Sequence, residues 1–214
     1  KAWRRPPDEA DTKRFVQLAL ATGSKPEDGF AAAMTAALVS PRFLFVVEAD
    51  PQQGHTDRSL DGYELATRLS LFLWSSVPDD PLLDAATNGE LSKPEGIRAQ
   101  TERMLKDPKA KALSRNFTGQ WLQLRNLKTI QPDPVRFPGI TETLKEDMAT
   151  ECEMFFANLL EENRPVTELV DSRHTFVNDR LAKFYGINSA KLKSPGFRKH
   201  EFTDSKRGGV TTMA

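Results

Sequence analysis

An all-α fold is predicted for this chain of 214 residues: an irregular array of helices joined by Pro-rich connectors. Three observations predict it. Apolar residues recur three and four apart through most segments, which is the period of one helix face. Segments open with Pro and acidic residues and close with Gly or a following Pro, the signature of helix ends. Charged residues make up 28% of the chain, interspersed in sign, as on solvated helices with narrow apolar stripes. A short β element near the C-terminus is the expected exception.

Pro6-Pro7-Asp8-Glu9 places Pro and acids in a first helical turn. Phe15, Leu18 and Ala19 mark the apolar side of this helix, which stops near Thr22-Gly23. Ser24 and Pro26-Glu27-Asp28 open a second helix, with Phe30, Met34, Ala37 and Leu38 at helical spacing. Ala31, Ala32, Ala33 and Ala36 leave room for a close neighbour. Ser40-Pro41 ends it, because a residue before Pro avoids the helical region. Residues 42–48 read equally as a short strand or a buried helical turn. Residues 50–59, DPQQGHTDRS, are polar and turn-rich and form the best internal linker.

Leu60-Asp61-Gly62 leads into a helix through Trp74. Tyr63, Ala66, Leu69, Phe72 and Leu73 give it a wide apolar face, so a central place is expected. Glu64 and Arg68, four apart, are set to pair on its wetter side. Ser75-Ser76-Val77-Pro78 stops the helix. Asp79 or Asp80 caps the next, with Pro81 in its first turn, and Asn88-Gly89 closes it. Ser92 and Glu95 have capping-box spacing for a helix carrying Ile97, Thr101, Met104 and Leu105. Asp107-Pro108 breaks that helix.

The following helix is expected from about 109 to 127, with Leu113, Phe117, Gln120, Trp121, Leu124 and Leu127 as a buried stripe. Residues 131–139 are too Pro-dense for regular structure. Thr141 caps the longest helix, whose apolar side carries Leu144, Met148, Cys152, Phe155 and Leu159. One further turn is expected at 166–170. Asn178 caps a short helix over 179–185, closed by Gly186, and 197–203 is the candidate strand. The implied domains are a helical pair at 1–50, a main helical domain at 59–190 and the start of a following domain at 191–214.

Lys plus Arg equals Asp plus Glu at 30 each, so no global field draws the chain to nucleic acid or an anionic membrane. The longest apolar bursts, FLFVV and LSLFLW, are far short of the roughly 20 residues that span a bilayer. The single cysteine, Cys152, excludes an intrachain disulfide, and its place on an apolar stripe marks a buried, inert thiol. No Cys-x-x-Cys-His motif attaches haem in this segment. The start lacks Met and a signal-peptide pattern, and RGGVTTMA stops in mid-element. A fragment of a longer polypeptide is therefore expected.

His55, His174 and His200 fall on separate predicted loops without ligand spacing, so no metal site is expected. Glu146, Asp147, Glu151, Glu153, Glu161 and Glu162 crowd one helix. They lack the Glu-x-x-His pattern of bundle di-metal sites and read as a solvated acidic face, with Glu151 nearest the apolar stripe. Trp74 and Trp121 raise sugar stacking, but both lie on apolar helix faces and read as core. Arg207-Gly208-Gly209 reads as a turn rather than an anion nest. No serine-hydrolase elbow, phosphate loop or dinucleotide fingerprint occurs.

LATRLSLFLWSSVPDDPLL followed by RMLKDPKAKALSRNFTGQWLQLRNL resembles the uncharacterised planctomycete-type domains that accompany a c-type cytochrome domain. VSPRFLFVVE resembles the short domain that precedes them. FVNDRLAKFYGI resembles the end of the central domain, and KRGGVTTMA the opening of the next. The resemblance implies an extracytoplasmic multidomain protein with haem c held elsewhere in the polypeptide. Its partners would be other domains of that polypeptide, a cytochrome c domain among them. It transfers no catalytic residue.

Three functional readings follow. The first is a structural or interaction module. The second is part of a redox or polymer-degrading enzyme with its site at a domain junction, drawing on Arg68, Asp80, Arg115, Gln120 and Glu151. The third is a haem-docking surface, marked by an exposed apolar patch with a charged rim.

Overall fold

The computed structural model describes residues 2–23, 25–50, 57–187, 196–203 and 207–213. Among the described residues the architecture is helical with one two-stranded sheet, as the spacing predicts. The chain forms two compact units, Lys1–Met104 and Leu105–Ala214.

In the first unit, α1 (Glu9–Ala21) starts where Asp8 accepts a hydrogen bond from the Asp11 amide at 2.7 Å. Helix α2 (Pro26–Leu38) follows Lys25; Ser24, expected in its cap, lies outside the described residues. The two helices approach closely through small residues: a Cβ on Gly29 would lie 2.2 Å from the Ala19 carbonyl oxygen. Pro41 does not merely end α2, because it also opens a single turn, α3 (Pro41–Leu44). Residues 45–50 then run without helix or strand and are largely exposed. Neither a strand nor a buried turn occupies 42–48.

Helix α4 (Gly62–Trp74) has a full capping box between Asp61 and Glu64, because both side chains reach a backbone N–H that the helix leaves free. Its buried face carries Glu64, Ala66, Thr67, Ser70, Leu73 and Trp74. Phe72, expected inward, is exposed. The helix rotates to bury the polar Glu64–Thr67–Ser70 line, each member of which has a partner. Asp79 caps α5 (Asp80–Thr87), accepting from the Leu82 amide. The same carboxylate takes both guanidinium arms of Arg103, at 2.7 and 2.9 Å. Ser92 closes a short 3-10 turn and donates to the Gly89 carbonyl. Helix α6 (Pro94–Leu105) follows. Trp74 is buried and donates its indole N–H to the Met104 carbonyl at 2.9 Å. It packs in a core that includes Ala66, Leu73, Leu82, Leu91 and Met104. The VPDD stretch is thus an elbow between packed helices.

In the second unit, α7 (Lys111–Trp121) stops earlier than expected. Gln123 takes a left-handed conformation, φ 53°, and a 3-10 turn covers Leu124–Lys128. Its buried line is Leu113, Ser114, Thr118 and Gly119, not the aromatic one. Helix α8 (Glu142–Glu161), capped by Thr141, is the longest. Strands β1 (His174–Val177) and β2 (Arg198–Glu201) pair antiparallel, with Thr175 opposite His200 and Val177 opposite Arg198. Strand β2 meets the expectation for 197–203. Strand β1 escapes a periodicity reading because only four residues follow a polar loop. Asn178 caps α9 (Asp179–Phe184). The core gathers Leu144, Met148, Val177, Leu181 and Ala182, with Leu127, Tyr185, Ile187 and Phe197 packed against it. The buried Lys145 ties the Pro-rich connector to α8, its ammonium 2.8 Å from the Ile130 carbonyl and 2.7 Å from Glu142.

Candidate functional site

The second unit buries a polar cluster beneath its C-terminal segment. Glu151 sits on the inward side of α8 and is 0% exposed. One carboxylate oxygen accepts from the Thr175 hydroxyl of β1, the other from the Tyr185 hydroxyl at 2.5 Å. The Arg207 guanidinium lies over the Tyr185 ring, 4.1 Å from its centre, and donates to the Thr212 carbonyl. Gly208 donates its N–H to Thr212 Oγ1, which makes Arg207-Gly208-Gly209 a closed turn, not an open anion nest. Asp147, also buried on α8, takes Arg180 in a two-armed ion pair at 2.7 and 3.1 Å. The expectation of a solvated acidic face therefore fails for Glu151 and Asp147, because hydroxyl and guanidinium partners from β1 and α9 make their burial tolerable.

His174 adjoins this cluster. It lies on β1, and His200 lies on β2 opposite Thr175, so neither occupies a loop, and His55 lies outside the described residues. Asn158 Oδ1 accepts from His174 Nε2 at 3.1 Å, which leaves Nδ1 to accept from the Ser172 hydroxyl at 2.9 Å. Burial, aided by the charges of Lys199 and Arg164, holds the ring's pKa below its ordinary value and keeps it neutral. Hydroxyl, base and orienting amide form the chain that activates a nucleophile. Yet Ser172 and His174 are both buried, Phe155 packs on the ring, and the adjoining cavity measures about 10 Å³. That is room for on the order of one water molecule. The arrangement is a polar lock that joins α8 to the sheet. Cys152 is likewise closed off: burial pushes its thiol up to about 12. Among the described residues no three His, Cys, Asp or Glu side chains converge to hold a metal ion.

The first unit holds an open cleft of about 540 Å³, lined by Trp3, Arg5, Arg42, Glu48, Tyr63 and Glu64 among others. Most of its charged side chains have ion partners. Arg58 grips Glu64 with both arms and, with two backbone amides, holds that carboxyl down to about 2. Arg68 grips Glu48 with both arms at 2.7 Å. The expected Glu64–Arg68 pair does not form, because the 45–50 and 57–59 segments bring each residue a better-aligned partner. Arg5 bonds Asp61 at 3.0 Å, and Arg42 bonds Asp11.

The candidates for junction chemistry thus occupy distinct settings. Arg68 is an ion-pair partner and Asp80 stands in the first turn of α5, where its charge favours the helix dipole. Arg115 is an exposed residue 3.9 Å from Glu153, Gln120 is exposed on α7, and Glu151 is sealed in the core. Trp121, expected in the core, is 48% exposed and joins Phe117 and Phe156 in a surface aromatic cluster. Thr175, Tyr185, Ser172 and Asn158 carry the buried network and were not anticipated. Only Tyr185 falls within the FVND…FYG run; Ser172, Thr175 and Asn158 lie outside it and carried no signal in the sequence.

A search of curated proteins and of solved structures returned no match. The profile of the family described as "Protein of unknown function (DUF1592)" matches residues 60–187, more than half of the chain. The chain belongs to that family. The DUF1592 segment contains the capped start of α4, the VPDD elbow and the whole Glu151–Tyr185 network. A second profile, "Protein of unknown function (DUF1595)", matches residues 1–48, the stretch that holds α1 to α3. Both descriptions agree with the expected resemblance to uncharacterised domains. Among the described residues no helix is long and apolar enough to cross a membrane.

Proposed function

We propose that this chain is a structural and docking module of a larger extracytoplasmic, cytochrome c-linked protein, and that further domains of its polypeptide cover its N-terminal helices. The resemblance of its motifs motivates the cytochrome link and the location. The pattern of α2 carries the docking. That helix turns small residues, Gly29, Ala32, Ala33 and Ala36, away from solvent, and leaves Phe30, Met34 and Leu38 67%, 47% and 43% exposed. These three are spaced by four and form one continuous ridge. From Gly29 to Leu38 the helix is apolar but for Thr35, and a helix so apolar on both its inward and outward sides is suited to burial on both. Val39, Leu44 and Phe45 extend the exposed apolar surface beyond its C-terminal end. The polar residues considered for chemistry support the same reading, because Arg68 and Glu151 are spent on ion pairing and core closure.

The test is binding between this chain and the separately produced remainder of its polypeptide, haem domain included. Wild-type chain is expected to bind. Phe30→Glu combined with Leu38→Glu is expected to abolish binding while leaving the helical circular dichroism unchanged, since both sites are exposed. Binding indifferent to that double change, or no binding by wild type, overturns the proposal.

A further inference from the structure

The cleft of the first unit is lined by three arginines whose binding capacity is not used up. Arg4 has a left-handed backbone, φ 58°, a strained setting for a residue that carries a Cβ. Its guanidinium donates to the carbonyls of Arg42, Phe43 and Phe45 and has no carboxylate partner among the described residues. Arg5 and Arg42 each bond one acid there, Asp61 and Asp11, through a single nitrogen. A guanidinium forks into several N–H donors, so both keep most of theirs. Aromatic rings hold the two in place: Arg42 lies 5.1 Å from the centre of the Trp3 ring, and Arg5 lies 5.7 Å from that of Tyr63. The acids of the same cleft are engaged. Glu64 accepts both arms of Arg58 and two backbone amides. Both oxygens of Glu48 accept from Arg68, and those of Asp61 accept from Arg5 and the Glu64 amide. Asp8 spends one oxygen on capping α1 and keeps the other. The side-chain capacity left in the cleft is mostly donor and cationic.

We propose that this cleft binds a small organic carboxylate with an apolar body. Its 540 Å³ is the size of a small-molecule site. A carboxylate matches the planar fork of a guanidinium and takes two parallel N–H bonds from it. Stacking on Trp3 and Tyr63 orients Arg42 and Arg5 beforehand, so little freedom is lost when the ligand arrives. Val46 and Val47, 50% and 58% exposed, form an apolar wall of the cleft that the carbon skeleton of the ligand covers. That wall separates an organic acid from an inorganic anion, which would meet the same arginines and leave the valines wet. The chain is neutral overall, so the attraction is local to these side chains. The site does not include the α2 ridge and stands whether or not that ridge is covered.

Titration of the purified chain with benzoate, followed by NMR of the arginine Nε–H groups, tests this. Saturable shifts at Arg5 and Arg42 are expected at millimolar benzoate. Benzamide has the same shape without the charge, and inorganic phosphate has charge without the apolar body; each is expected to bind more weakly by about tenfold or more. Arg42→Gln is expected to weaken benzoate by about tenfold or more. Arg42→Lys keeps the charge, loses the fork and is expected to weaken it as well. Val47→Ser is expected to weaken benzoate and leave phosphate unchanged. Arg98→Gln removes an exposed arginine of α6 outside the cleft and is expected to change nothing. Circular dichroism checks that each variant retains its helices. No saturable benzoate shift in the wild type overturns the proposal. So does benzamide or phosphate binding as tightly as benzoate, or Arg98→Gln weakening benzoate as much as Arg42→Gln, which would reduce the effect to surface charge.

Discussion

Tyr185→Phe isolates the chemistry of the buried network. The change deletes one oxygen and keeps the ring that packs in the second-unit core and faces Arg207. What is lost is the 2.5 Å bond to Glu151, whose side chain is 0% exposed. Leaving a buried acceptor short of a donor costs about 1–3 kcal/mol. A comparison removes the general effect of the substitution: Tyr63→Phe deletes an exposed hydroxyl paired with Thr87 at 3.0 Å. Exposed changes of that kind stay within about 0.5 kcal/mol. Native-state hydrogen exchange of the α8 amides around Glu151 reads the second unit by itself. Tyr185→Phe is expected to lower their opening free energy by about 1–3 kcal/mol. Thr175→Val, at the other carboxylate oxygen, is expected to act similarly, and the double variant to depart from additivity because both sites share one acceptor. An α8 exchange profile for Tyr185→Phe equal to wild type would refute the reasoning, since the hydroxyl would then contribute nothing to the core.

Three further outcomes are expected. Glu64 has its carboxyl held at about 2, below the ordinary 4.5, chiefly by Arg58. Its stabilising contribution is therefore complete above 4.5 and lost as pH falls toward 2, so Glu64→Gln should flatten the acid limb of a urea-denaturation series. Gly209 has φ +60° and a would-be Cβ 2.2 Å from the Leu169 carbonyl oxygen. Gly209→Ala should destabilise by about 1–3 kcal/mol in a thermal melt, and an unchanged melt would contradict the packing of the C-terminal turn. Cys152, with its thiol pushed up to about 12, should react with a disulfide reagent only at the rate of unfolding. Fast native-state labelling would contradict its burial.

Helix ends were legible because capping is local. Asp8, Asp61, Asp79, Thr141 and Asn178 each bond the amide three residues on, and that relation is written in nearby letters. Faces were less legible, because periodicity marks a stripe without saying what covers it. Phe30, Phe72 and Trp121 fit apolar stripes, yet each is exposed. The ion pairs Arg58–Glu64 and Arg68–Glu48 displaced a plausible i,i+4 pair through loop segments whose path no spacing rule predicts. Glu151 lay beside the apolar stripe of α8, a sign of its inward direction. Its partners Thr175 and Tyr185 come from 24 and 34 residues away, a relation that only the folded chain displays.

The central claim is that α2 presents its large side chains outward for another domain to cover. Hydrogen exchange of the 27–38 amides, compared between this chain alone and the larger polypeptide proposed for it, tests that claim most directly. Slowing by about tenfold or more, equivalent to roughly 1.4 kcal/mol of added protection, is predicted when the remaining domains are present. Identical exchange in the two settings would contradict the account.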